Sequence, residues 1–217
     1  MSTPYKKYWR KTSLESASGN LLLNIIAEKK PKNFLEIGVF TGITARNVCE
    51  LLNTIHQGEF NYTGLDLFEN YSPELDSEIV PDTIRGNKQK FSNPLKHLFY
   101  NLILNEQVHS LGSVSKFLKK FNHQVKLVKG DTKKTLPEQA IEKFDMIFVD
   151  GGHSFETVYF ELRLIVSKCK NHCLVLVDDY NHNEATGVKI AVDKIVFDNK
   201  LNFKFLCGIF MMFVFFC

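Results

Sequence analysis

A single α/β domain, built on an open, mostly parallel sheet of seven strands with helices on both faces, is predicted for this 217-residue chain. Three observations predict it. Short runs such as Phe144–Asp150 and Cys173–Tyr180 are mostly apolar rather than alternating, as strands covered on both faces are. Segments with apolar residues at helical spacing lie between them. The runs end in glycines or acids, on what must be one edge of a parallel sheet.

Taken in order, Ser13 to Lys30 carries Leu21, Leu22, Leu23, Ile25 and Ile26 and predicts a helix beside the sheet, stopped by Pro31. The stretch Phe34–Gly42 reads as a buried strand that ends in Gly38 and Gly42 and opens into a helix from Ile43. Glycine suits such a turn because positive φ costs it nothing and no side chain blocks a ligand from the backbone. Phe60–Phe68 predicts the second strand, with Asp66 at its end. From Glu69 to His123 the alternation breaks: the chain is polar through Pro94, and Leu95 to Phe121 then suits one or two helices broken near Gly112. An insertion of this length is expected either to cover the substrate or only to pack.

The pattern resumes with a strand at Gln124–Thr132, another at Phe144–Asp150, a helix at Phe155–Lys170, a strand at Cys173–Tyr180 and a helix at Thr186–Phe197. The uncharged run after Lys204 is shorter than the roughly twenty apolar residues of a membrane span. Two closing strands around a turn near Gly208 are expected instead.

With 44% hydrophobic and 24% charged residues the chain has an ordinary globular composition, and there is no room for a second full domain. Its 27 basic and 24 acidic residues are too balanced to suggest nucleic-acid binding. The basic clusters at Lys6, Lys7, Arg10 and Lys11, and at Lys116, Lys119, Lys120, Lys126 and Lys129, read as solvated faces and a mobile terminus. Five scattered cysteines read as reduced thiols, and Cys169 and Cys173 near His172 lack the second ligand pair of a structural zinc site. No apolar run follows the first charges, so a cytoplasmic protein without a signal peptide is expected.

The acids carry the chemistry. Around the first turn the spacing is Glu-x-Gly-x-x-x-Gly, not the Gly-x-Gly-x-x-Gly of pyrophosphate sites, which argues against an oxidoreductase. Glu36 would repel a pyrophosphate but could take up an ammonium group. Asp66, twenty-four positions after Gly42, is placed to accept hydrogen bonds from ribose hydroxyls, or else caps a loop. Asp150 precedes Asp178 and Asp179 by twenty-eight and twenty-nine positions. Three carboxylates converging there would need a cation between them, and such oxygen donors suit Mg²⁺. The alternative is that Asp150 lines a cofactor pocket while Asp178 and Asp179 cap the following helix. His153, three residues after Asp150 in a Gly-Gly-His turn, could take a proton from a substrate hydroxyl, with a metal-activated hydroxyl or Asp150 itself as competitors for that task.

The stretch from about Phe34 to Lys194 resembles class I S-adenosylmethionine-dependent methyltransferases, with their Rossmann-like fold. The resemblance implies a cofactor pocket made by Glu36, Gly38, Gly42, Asp66, Asp131 and Asp150, with Asp131 at the adenine amino group. The Asp-Gly-Gly-His-Ser turn, the Val-Asp-Asp-Tyr strand and Gly187–Asp193 are similar to a family that includes metal-dependent O-methyltransferases acting on sugar hydroxyls of antibiotics. That likeness implies Asp150, Asp178 and Asp179 as metal ligands and His153 as base, and a small hydroxylated molecule as substrate. The insertion Glu69–His123 does not match that family. A metal-independent N- or C-methyltransferase and a non-catalytic binding module are the rival expectations, and the sequence also allows a homo-oligomer.

Overall fold

The computed structural model describes residues 4–10, 12, 14–70, 93–103, 107–169, 173–183, 185–201, 203–206 and 210–214. Part of the expected insertion, the turn at Gly208, and Lys11, His172, Cys207 and Cys217 lie outside the described residues.

Helix α1 (Ser16–Lys29) precedes strand β1 (Asn33–Ile37), which turns through Gly38 and Gly42 into α2 (Ile43–His56). Strand β2 (Asn61–Asp66) follows, then β3 (Val125–Lys129), β4 (Met146–Val149) and β5 (Leu174–Val177). These five pair in parallel in the order β3-β2-β1-β4-β5. Helix α5 (Thr132–Thr135) follows β3, α6 (Phe155–Lys168) links β4 to β5, and α7 (Thr186–Asn199) follows β5. The C-terminal strands β6 (Phe203–Leu206) and β7 (Phe210–Val214) pair antiparallel with each other, and β7 pairs antiparallel with β5.

Successive strand residues point to opposite faces, and here both faces are apolar. Phe34, Tyr62, Phe148 and Leu176 pack with Leu22, Ile26, Val48 and Leu52 of α1 and α2. Leu35, Ile37, Ile147, Val149, Val175 and Val177 pack with Leu162, Ile165 and Val192 of α6 and α7. Because β2 and β4 flank β1, the strand order reverses beside β1, and the carboxyl ends of β1 and β4 open a crevice there.

In the insertion, α3 (Pro94–Leu98) runs into one π-helical turn, Phe99–Ile103, and α4 (Leu111–Phe117) starts afresh. The break falls near Gly112, as expected. Ser110 sets the start of α4 by accepting a hydrogen bond from Ser113 N–H, so Gly112 sits inside the first turn. Among the described residues no helix is long and apolar enough to cross a membrane, and Cys49, Cys169 and Cys173 are thiols.

Candidate active site

The glycine turn is built for close approach. Gly38 has φ of 91° and Gly42 of 79°, and Phe40 between them is also left-handed at 49°. A methyl group on Gly38 would overlap the carbonyl oxygen of Asp150, so the turns after β1 and β4 touch backbone to backbone. Asp66 grips the turn from β2: one carboxylate oxygen accepts from Val39 N–H at 2.7 Å and Phe40 N–H at 2.8 Å, and the other from Phe68 N–H. Burial still pushes the Asp66 carboxyl above its usual range, against the pull of those three donors.

Glu36 sits one residue before the turn and is wholly sealed from solvent. Its Oε2 accepts from the Tyr62 hydroxyl at 2.6 Å, and its Oε1 has no hydrogen-bond partner among the described residues. Burial pushes its carboxyl up to about 8, with the charge of Asp66 adding to the rise and the Tyr62 hydrogen bond opposing it.

At β4 and β5 the expected acids come together. Asp150, Gly151, Gly152, His153, Asp178 and Asp179 line one pocket, walled by Val158, Val177 and Val188. His153 Nε2 pairs with Asp179 Oδ2 at 2.9 Å, and Asp179 N–H donates to Asp178 Oδ1 at 2.9 Å. Asp179 holds its carboxylate there from a left-handed backbone, φ 57°. Burial and then the charges of Asp178 and Asp179 push the Asp150 carboxyl well above its ordinary value, and burial and Asp179 push Asp178 up to about 7. This crowding of negative charge favours a cation. Among the described residues no three His, Cys, Asp or Glu side chains are gathered to hold one ion, while Asp150, Asp178 and Asp179 line the same pocket.

Ser154 caps α6 through Thr157 N–H, which fixes the start of that helix directly after His153. The first turn of α7 closes against the same turn: a methyl group on Gly187 would overlap the His153 carbonyl oxygen and lie 2.6 Å from Phe155 N. Asp131, expected beside an adenine, caps α5 by accepting from Lys133 N–H at 2.9 Å, and its neighbour Gly130 donates to the Asp66 carbonyl.

Sequence reasoning missed what covers the glycine turn. The chain before α1 crosses the start of α2, where the buried Tyr5 hydroxyl bonds Thr44 Oγ1 at 2.8 Å and Lys6 N–H bonds Asn47 Oδ1. Arg10, assigned above to a solvated and mobile terminus, is instead bound to the glycine turn and to the insertion. The insertion is tied down as well: Glu69 accepts from Leu111 N–H and pairs with Lys129, and buried His109 is held near Asp66 and Glu69. One arginine in a basic cluster gives no sign of such partners.

Residues 35–180, more than half of the chain and every part of this site from the glycine turn to Tyr180, match a family described as a methyltransferase domain. The chain belongs to that methyltransferase family. No curated protein matches it by sequence. Among solved structures, this methyltransferase is similar to an S-adenosylhomocysteine-bound methyltransferase, PaMTH1 from Podospora anserina, with TM-score 0.60 and 16% identity over 93% of this chain and 79% of that one. It is similar also to a putative caffeoyl-CoA O-methyltransferase from Staphylococcus aureus, with TM-score 0.61 and 13% identity over 94% and 85%. A putative O-methyltransferase from Klebsiella pneumoniae gives TM-score 0.63 and 13% identity over 96% and 84%. Identities this low show a shared fold, and the family match adds the chemistry: the chain is a class I S-adenosylmethionine-dependent methyltransferase.

Proposed function

We propose that this methyltransferase moves a methyl group from S-adenosylmethionine to a hydroxyl oxygen of a small molecule such as a sugar, with His153 as the base. One observation carries the reading: the pocket that holds His153 and Asp179 adjoins the glycine turn, Asp150 belonging to both. Several of the similar folds are named as O-methyltransferases, which supports oxygen as the acceptor.

The cofactor fits the residues present. Gly38 leaves a cradle that a side chain would fill, and Glu36 Oε1 is a buried acceptor waiting for a donor, suited to the ammonium of the methionine moiety. Gly42 and the turn amides held by Asp66 complete the cradle, with Asp66 toward the ribose, Asp131 toward the adenine and Asp150 beneath. When bound, the cofactor supplies an electrophilic methyl on a sulfonium. With Nε2–H donating a hydrogen bond to Asp179, the neutral His153 ring keeps its lone pair on Nδ1, which takes the hydroxyl proton as the substrate oxygen attacks. Asp179 then stabilises the imidazolium, as the orienting acid of a base dyad does. Val149, Val158, Val177 and Val188 give one side of the pocket an apolar wall. No step is assigned to Mg²⁺. The single domain spans the whole chain in this reading, and the described part of the insertion around Leu111–Phe117 contributes to the substrate cover.

Methyl transfer from S-adenosylmethionine to a panel of hydroxylated small molecules, with and without EDTA, tests the proposal. Transfer is expected to survive the chelator and to fall about a hundredfold or more in His153→Gln. Transfer abolished by EDTA and restored by Mg²⁺ would instead show that the carboxylates gather a metal when loaded, and the dyad account would fall. Methylation of nitrogen acceptors alone would overturn the choice of oxygen.

A further inference from the structure

Arg10 lies in the segment ahead of α1, yet its guanidinium is a meeting point of three distant stretches of chain. Nη1 donates to the carbonyl of Thr41 in the glycine turn at 3.0 Å and to that of Val108 at 2.9 Å. Nη2 donates to the carbonyl and the hydroxyl of Ser113, at 2.9 and 3.1 Å. The planar group also stacks 4.3 Å from the centre of the Phe117 ring. A fork of charge-assisted bonds to three carbonyls is a rigid brace that the point charge of a lysine does not reproduce.

What the brace holds is the cofactor turn. The Thr41–Gly42 peptide is fixed at both ends, its oxygen by Arg10 and its N–H by the Val39 carbonyl at 2.9 Å. The first two peptides of the turn, with N–H groups on Val39 and Phe40, are held by Asp66. One strained turn, with three left-handed positions in five residues, is thus gripped by a carboxylate on its amides and a guanidinium on its carbonyl. The insertion rests on the same turn, since Val114 Cγ1 would lie 2.9 Å from a methyl group on Gly42.

We infer that Arg10 is a positioning residue for the cofactor: it sets the glycine turn for S-adenosylmethionine and makes the 108–117 segment close over the site only together with that turn. This inference rests on the cofactor reading above.

Three readouts on the full chain test it: calorimetric titration of S-adenosylhomocysteine, ligand-free melting, and hydrogen exchange of the 108–114 amides with and without that ligand, for wild type, Arg10→Met and Arg10→Lys. Wild type is expected to bind, with slower exchange over 108–114 when loaded. Arg10→Met is expected to bind about tenfold more weakly or worse, to lose the ligand-induced protection and still to melt cooperatively, with Arg10→Lys in between. Should Arg10→Met not fold, Arg10→Lys carries the comparison. If wild type binds and the variants match it within about twofold, or keep the same protection of 108–114, the inference is overturned and the cofactor reading stands. A wild type that binds nothing overturns both.

Discussion

Replacing Glu36 with glutamine tests the electrostatics of the cofactor turn, and its magnitude follows from burial. The folded Glu36 carboxyl is pushed from 4.5 to about 8, chiefly because no water reaches it. Between those values the unfolded chain releases the proton and the folded chain keeps it. The contribution of this carboxyl to stability is therefore greatest below about pH 4.5, falls as pH rises toward 8 and levels off above, which is the sign for an acid whose folded pKa is raised. At about 1.4 kcal/mol per unit the full effect is on the order of 4–5 kcal/mol. Glutamine cannot ionise and can still accept from Tyr62, so the variant loses this slope. Urea unfolding at pH 5, 7 and 9 should show the variant gaining on wild type by several kcal/mol across the range. Parallel profiles, differing by less than about 1 kcal/mol at every pH, would refute the claim that the folded protein holds a buried neutral carboxyl. A second consequence concerns the ligand: an ammonium drawn to Glu36 ionises it, so near pH 6.5 cofactor binding should release about one proton, seen as a dependence of binding heat on buffer, and should release none in the variant.

Further substitutions probe the frame. Gly38→Ala forces a side chain onto the Asp150 carbonyl at positive φ, and should cost about 2–4 kcal/mol in unfolding free energy and abolish cofactor binding by calorimetry. Gly187→Ala pushes the first turn of α7 against the His153 carbonyl; turnover should drop at least about tenfold with cofactor affinity little changed, as separate kinetic and binding measurements would show. Tyr180→Phe removes the 2.6 Å bond to Asp193 and the 2.7 Å bond from Lys189 that fasten the loop after Asp179, and should lower stability by about 1–2 kcal/mol in denaturant unfolding.

The parallel strands were legible because runs buried on both faces lack alternation, and the helices because their apolar spacing is helical; β4, β5 and α6 fall within the stretches the sequence marks. The acids were legible as a group, since strands of one parallel sheet end on one edge. Their atomic partners were not. Spacing puts Asp150, Asp178 and Asp179 in one pocket, but it does not reveal that Asp178 accepts from Asp179 N–H while Asp179 pairs with His153. Asp66 was read as a ribose acceptor or a loop cap, and spacing did not show that its carboxylate holds the amides of the glycine turn. Glu36 was placed beside the turn and is found sealed beneath it. Arg10 was hidden because its partners lie 31, 98 and 103 positions away, a separation that no local pattern reports.

The central claim is that the carboxyl edge of β1, β2 and β4 is the cofactor site and feeds the His153 pocket. Its most direct test is the structure of the chain bound to S-adenosylhomocysteine. The account predicts the ligand against the Gly38–Gly42 turn and the Asp66 end of β2, with its sulfur toward Asp150 and His153. Ligand bound elsewhere, or none at millimolar concentration, would contradict it.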